Sequence, residues 1–233
     1  MSSLPTAVYP RGFSCGQHDK FDFLTDSMDR AFLCIKISEG VNGLSDPKWE
    51  KSRILNIDQY PWKNEQHPYT PDVQVRLLHR GHTLYVRFDC WESEIRATYV
   101  TPNDPVCRDS CVEFFFMPDV LDNRYLSFEV NPLGTMLIGI GTGGNDIKYL
   151  SDDRAQFHIK THMESGFWQV CYEIPEAFLR KYYGELTTQL RGNFMKCADR
   201  SSTPHHGCWN RIETSYPMFH VPESFGTILL QEH

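Results

Sequence analysis

Eight cysteines are spread through this chain, yet none forms a Cys-x-x-Cys pair and their spacing matches no zinc ribbon or finger. The chain also lacks His-Glu-x-x-His and a phosphate-cradling loop, so the common zinc-protease and nucleotide signatures are missing. Gly139–Gly144 is glycine-rich, but no helical pattern opens after it, and it reads as a strand end and loop. No apolar run approaches the ~20 residues of a membrane span. Basic excess is absent too: the formal net charge is -7, which argues against nucleic acid or an anionic membrane surface as partner. The start, MSSLPTAVYPRGF, has no basic region followed by an apolar run. With Met1 as the native start, the expectation is a cytoplasmic protein with free thiols; had a leader been removed, it is a secreted one in which disulfides return. Internal repeats and low-complexity tracts are absent.

What is present is an ordinary globular composition, 40% hydrophobic and 23% charged over 233 residues, with a high aromatic share of 13%. β-sandwiches of this length occur as single domains. Residues 1–29, punctuated by Pro5, Pro10, Gly12 and Gly16, read as an extension packed on a domain of residues 30–233. Ala31–Ile37 is the first β-like run. Val73–His79 and Thr83–Cys90 are separated by Arg80-Gly81-His82 and read as a hairpin. In the second of these, Leu84, Val86, Phe88 and Cys90 share one face, the period of a half-buried strand. Ser110–Pro118 and Arg124–Asn131 alternate likewise. Val112, Phe114, Phe116, Leu126, Phe128 and Val130 point inward; Glu113, Tyr125, Ser127, Glu129 and Asn131 point outward. Thr135–Gly143, Phe167–Ile174 and Gly226–Gln231 complete the strands, and Pro175–Gly184 reads as one short helix. Many short strands with a single helix predict an all-β, antiparallel, jelly-roll-like sandwich.

Chemistry concentrates at a few positions. Glu113 and Glu129 lie on the polar faces of consecutive strands. Paired carboxylates serve either glycoside hydrolysis or the hydrogen bonding of sugar hydroxyls. Trp91 and Trp209 are candidate stacking platforms, and Arg108 and Lys196 are candidate donors to sugar oxygens. Cys197, Asp199, His205, His206, Cys208 and His220 carry metal-ligating atoms, but their spacing reads as a polar loop and no metal ligand is assigned.

In order, LYVRFDC, RDSCVEFFFMPD, FEVN, FWQVCYEIP, RGNFMKCAD, W-N and FHVPESFGTILL resemble the family 9 carbohydrate-binding modules and their family 9-like (DOMON-like) relatives of gut and soil bacteria. The likeness spans roughly residues 30–231. It implies a non-catalytic sandwich that binds the ends of plant-type polysaccharides or oligosaccharides, with a glycoside hydrolase as an expected partner. It implies two aromatic walls, which fall at or near Cys107 and at Phe219, and a hydroxyl acceptor at Glu113. A basic residue of the better-known modules falls on Glu129. One wall and one donor are therefore replaced here, and Trp209 or Trp91 is the expected substitute platform. No cofactor is expected beyond structural calcium, for which Pro118–Arg124 and Ser151–Arg154 would supply oxygen ligands. Two other readings stand beside this one: a sugar-active hydrolase using Glu113 and Glu129, and a protein-interaction sandwich that has lost its sugar site.

Overall fold

The computed structural model describes residues 30–144 and 146–232, so the expected N-terminal extension, residues 1–29, lies outside the described residues. In chain order the strands are β1 (Ala31–Lys36), β2 (Leu55–Asn56), β3 (Asp72–Arg80), β4 (Thr83–Trp91), β5 (Cys111–Met117), β6 (Tyr125–Val130), β7 (Met136–Gly141), β8 (Lys148–Tyr149), β9 (Lys160–Glu164) and β10 (Phe167–Ile174). After helix α1 (Glu176–Tyr182) come β11 (Gln189–Cys197), β12 (His206–Cys208) and β13 (Gly226–Leu230). No helix among the described residues is long and apolar enough to cross a membrane.

The strands run β8-β7-β6-β5-β11-β13-β1-β3-β4-β10-β9 and fold over into two facing layers. β1 belongs to both. Ala31–Cys34 pairs with β13 and Ile35–Lys36 pairs with β3, each time in parallel. The expectation of a purely antiparallel sandwich is corrected at this strand alone; every other paired strand is antiparallel. Parallel neighbours must come from distant sequence, and here one strand opens the described chain and the other closes it.

The β3–β4 hairpin turns in two residues rather than three. Arg80 pairs with Thr83, and Gly81 takes φ +59, which a side chain would strain. Between the layers lies a phenylalanine stack: Phe114 sits 4.6 Å from Phe116 and 4.4 Å from Phe194, ring to ring. Trp168, Val86, Phe88 and Phe128 close over it from both sheets.

The opposite face of β5, β6 and β11 departs from expectation. Tyr125, Ser127, Glu129 and Asn131 do point away from the main core, but all are buried. The segment between β11 and β13 folds back over them. It brings Ile212, Phe219 and Phe225 onto Phe115, Tyr125 and Met195 as a second, smaller core.

One buried carboxylate fixes the approach to this covered face. Asp109, wholly buried, accepts from the amides of Thr98 (2.7 Å) and Tyr99 (2.9 Å), the Thr98 hydroxyl (2.7 Å) and the Asn131 amide (3.0 Å). Burial alone would raise its pKa, yet these donors hold it below the ordinary value. Replacing Asp109 by Ala leaves several buried donors unpaired and is expected to cost about 3 kcal/mol or more, read from denaturant unfolding. Its contribution is fully present above the ordinary aspartate pKa and is lost as pH falls through the lowered one. The difference between wild type and Asp109→Ala should therefore shrink in strong acid.

Candidate functional site

The covered face is not filled completely. A cavity of about 200 Å³ remains over β5, β6 and β11, lined by Cys107, Glu113, Glu129, Cys197, Asp199, His206, Pro217, Met218, Phe219 and His220. Its floor follows from strand register. Glu113 pairs with Glu129, so two carboxylates stand side by side, with Cβ atoms about 5 Å apart. Beside them Cys111 faces Cys197 across β5 and β11. The Cys197 thiol lies 3.1 Å from Glu113 Oε1. Among the described residues, no lysine or arginine lines the cavity.

Burial and mutual repulsion govern this floor. Burial, then the neighbouring Glu129, pushes Glu113 well above the usual carboxylate range. Burial, then the charge of Asp199, pushes Glu129 up to about 8. Burial also raises the Cys107 thiol and holds Cys111 up to about 12. The walls are aromatic. Phe219 is 9% exposed, with its ring 5.8 Å from Trp62 and 6.1 Å from His206. The His206 Nε2 lies 2.9 Å from Asp199 Oδ1. His220 stacks on Phe115 and shares a 2.7 Å hydrogen bond with the Tyr125 hydroxyl; burial lowers its pKa to about 4, so it is neutral at physiological pH.

Of the residues singled out from sequence, the structure brings Glu113, Glu129 and Phe219 together at this cavity. The others lie elsewhere, for identifiable reasons. Trp209 is no platform: it is 3% exposed, packs edge-on against Phe194, and occupies the space left by the missing side chain of Gly226. Lys196 points to the other side of β11, where Nζ sits 3.0 Å from Glu92 Oε2 and 3.0 Å from His205 Nε2 and donates to the Cys197 carbonyl. That buried ion pair leaves no donor for a ligand. Trp91 is exposed on the rim of a separate cleft of about 840 Å³. Arg108 is exposed and ends the short turn Val106–Arg108, outside the cavity lining. Within the loop expected to be merely polar, Cys197, Asp199, His206 and His220 reach the cavity. The acidic turns considered for calcium use their carboxylates locally: Asp122 holds Arg124, Asp152 holds Lys181 and the Tyr182 hydroxyl, and Asp153 caps the turn at Ala155.

Trp62, Pro217 and Met218 carried no sequence signal. Trp62 is fixed by donation from its indole to the Thr214 carbonyl, 152 residues away. His206 and Pro217 also border a second groove of about 610 Å³ that contains Trp62, Tyr69 and the exposed Tyr216, so cavity and groove share a wall.

The family model for carbohydrate-binding family 9 matches residues 46–230. The chain belongs to carbohydrate-binding family 9. A protein from Bacteroides uniformis, described as a candidate carbohydrate-binding protein, is 26% identical; the match covers 87% of this chain and 100% of that one, with a TM-score of 0.76. A family 9 carbohydrate-binding module from Caldicellulosiruptor kristjanssonii, solved with glucose, is 15% identical over 88% of this chain and 97% of that one, with a TM-score of 0.62. The module from the same organism solved with cellotriose is 15% identical over 88% and 95%, with a TM-score of 0.63. At that identity the likeness is one of fold. No curated protein matches the chain.

Family 9 modules bind carbohydrate without cleaving it. This bears out the non-catalytic reading over the alternative of a hydrolase working through Glu113 and Glu129.

Glu129 carries a testable linkage. Its pKa is raised on folding, so the folded chain binds more protons, and stability falls as pH rises from the ordinary 4.5 to about 8. Glu129→Gln keeps the size and removes the ionisation. Thermal melts in chelator should show the variant gaining on wild type steadily across that interval; parallel melting curves at all pH values would contradict the assignment.

Proposed function

We propose that this chain binds the end of a carbohydrate in the cavity floored by Glu113 and Glu129 and walled by Phe219, and that it does so without catalysis. The carrying observation is the conjunction of paired carboxyls and an aromatic wall in a space for one sugar ring. A volume of about 200 Å³ is below the ~300 Å³ at which drug-sized ligand pockets begin, so it suits a chain end rather than a chain interior. Near neutral pH, Glu129 keeps its proton and both donates and accepts, which suits hydroxyl groups that do the same. The Phe219 ring offers an apolar face for the C–H side of a sugar. Cys107, at the position of the second aromatic wall in the family 9 likeness, leaves that side thin. The Trp62 and His206 rings thicken the wall that remains.

Further sugar units extend over His206 and Pro217 into the aromatic groove beside Tyr216. Neutral β-linked plant oligosaccharides fit this reading, since no lysine or arginine among the described residues lines the cavity to meet an acidic sugar. Membership of family 9 and the glucose and cellotriose complexes of its structural neighbours support it.

Calorimetry with glucose and cellotriose tests it. Phe219→Ala should weaken both by about 2 kcal/mol, roughly 30-fold in Kd. Tyr216→Ala should weaken cellotriose several-fold and leave glucose unchanged. Trp91→Ala should change neither. Full affinity in Phe219→Ala, or loss of affinity in Trp91→Ala, would move the site to the other cleft.

A further inference from the structure

The floor of the cavity holds a second arrangement, which shares Glu113 with the proposed sugar site and adds two thiols. Cys111 and Cys197 are register partners on β5 and β11, and Glu113 is the next residue of β5 on the same face. One donor atom from each of the three lies within 4.8 Å of the other two. Each residue is at most 2% exposed. In tetrahedral zinc coordination, Zn–S bonds of about 2.3 Å and Zn–O bonds of about 2.0–2.2 Å put sulfur and oxygen about 3.6 Å apart. The Cys197 sulfur and Glu113 oxygen stand at 3.1 Å, so small side-chain rotations would open the triad onto a common centre.

A second observation points to a cation. Glu129 is buried beside Glu113, lines the cavity, and makes no hydrogen bond or ion pair among the described residues. Buried carboxyl groups are ordinarily met by a basic group, another hydrogen-bond partner or a metal, and among the described residues no lysine or arginine lines this cavity. Two thiols and a carboxylate are a soft, mixed donor set, which favours zinc-like ions over calcium or magnesium.

We propose that Cys111, Cys197 and Glu113 form a three-ligand site for a thiophilic divalent cation of the zinc class. Binding forms two metal–sulfur bonds and one metal–oxygen bond, and releases to solvent the protons of both thiols and of the Glu113 carboxyl. Cys197 and Glu113 border the cavity, so the fourth position opens into it. Glu129 stands where it accepts a hydrogen bond from a water or hydroxyl held there. The inference concerns the floor and stands whether or not a sugar occupies the space above.

The test is titration of the reduced, chelator-stripped full chain with Co²⁺ in the absence of oxygen. One equivalent should produce tetrahedral d–d bands and a near-ultraviolet sulfur-to-cobalt band of two-thiolate intensity, and Zn²⁺ should abolish both. Cys111→Ser and Cys197→Ser should each halve the charge-transfer band and weaken uptake about tenfold or more. Cys107→Ser, inside the cavity but outside the triad, should change neither. Should the serine variants fail to fold, Zn²⁺ protection of wild-type thiols from alkylation gives the same information. Peptide mass analysis is expected to find Cys111 and Cys197 protected. Absence of the charge-transfer band, its persistence in both serine variants, or a Zn²⁺-dependent gain in protection at other cysteines and not at Cys111 and Cys197 overturns the proposal. Sugar calorimetry in chelator is read separately, so intact sugar binding without metal uptake defeats this inference alone.

Discussion

The pairing of Glu113 with Glu129 beneath a folded-over loop is the constraint around which the rest of this molecule is arranged. Neighbouring strands in antiparallel register put the two carboxyls side by side. On an open sheet face they would be solvated and unremarkable. Covered by the segment between β11 and β13, they become a buried pair with raised pKa values and, among the described residues, no lysine or arginine beside them in the cavity. Such a pair costs stability, and a fold retains that kind of cost where a ligand is to be met.

The surrounding structure keeps this pair in place and keeps competing charge away. The phenylalanine stack between the layers fixes the strands from behind. Asp109 ties the Thr98–Tyr99 segment to the start of β5 and to Asn131 at the end of β6, so both carboxyl-bearing strands share one anchor. Lys196, on the alternate face of β11, is taken by Glu92 and His205 and cannot neutralise the cavity. In front, Phe219, Trp62 and His206 make an aromatic side, and His206 also borders the wider groove. The result is a small recess with polar floor and apolar wall, the two surfaces a sugar ring presents in complement.

How much of this was legible beforehand depends on the range of the interactions. The β3–β4 hairpin, β5, β6, β10, α1 and β13 were readable because period-two alternation, Gly81 and Pro175 are local signals. The same alternation placed Glu113 and Glu129 on one face, and the family likeness singled out Phe219. What alternation cannot say is whether that face meets water. The covering segment has no periodicity, so the burial of Glu129 was invisible, as was the gathering of Asp199, His206 and His220 with Cys197. Trp209 looked like a loop platform because its neighbours are polar; its burial depends on Gly226, where a side chain would collide with the indole. The parallel placement of β1 beside β13 joins the two ends of the described chain and left no local trace.

The most direct measurement is a crystal structure of the protein soaked with glucose. The account predicts one pyranose in the cavity, its hydroxyls within hydrogen-bond distance of Glu113 or Glu129 and its apolar face against Phe219. Ordered sugar on the Trp91 cleft with the cavity closed, or in neither place at saturating concentration, would contradict it.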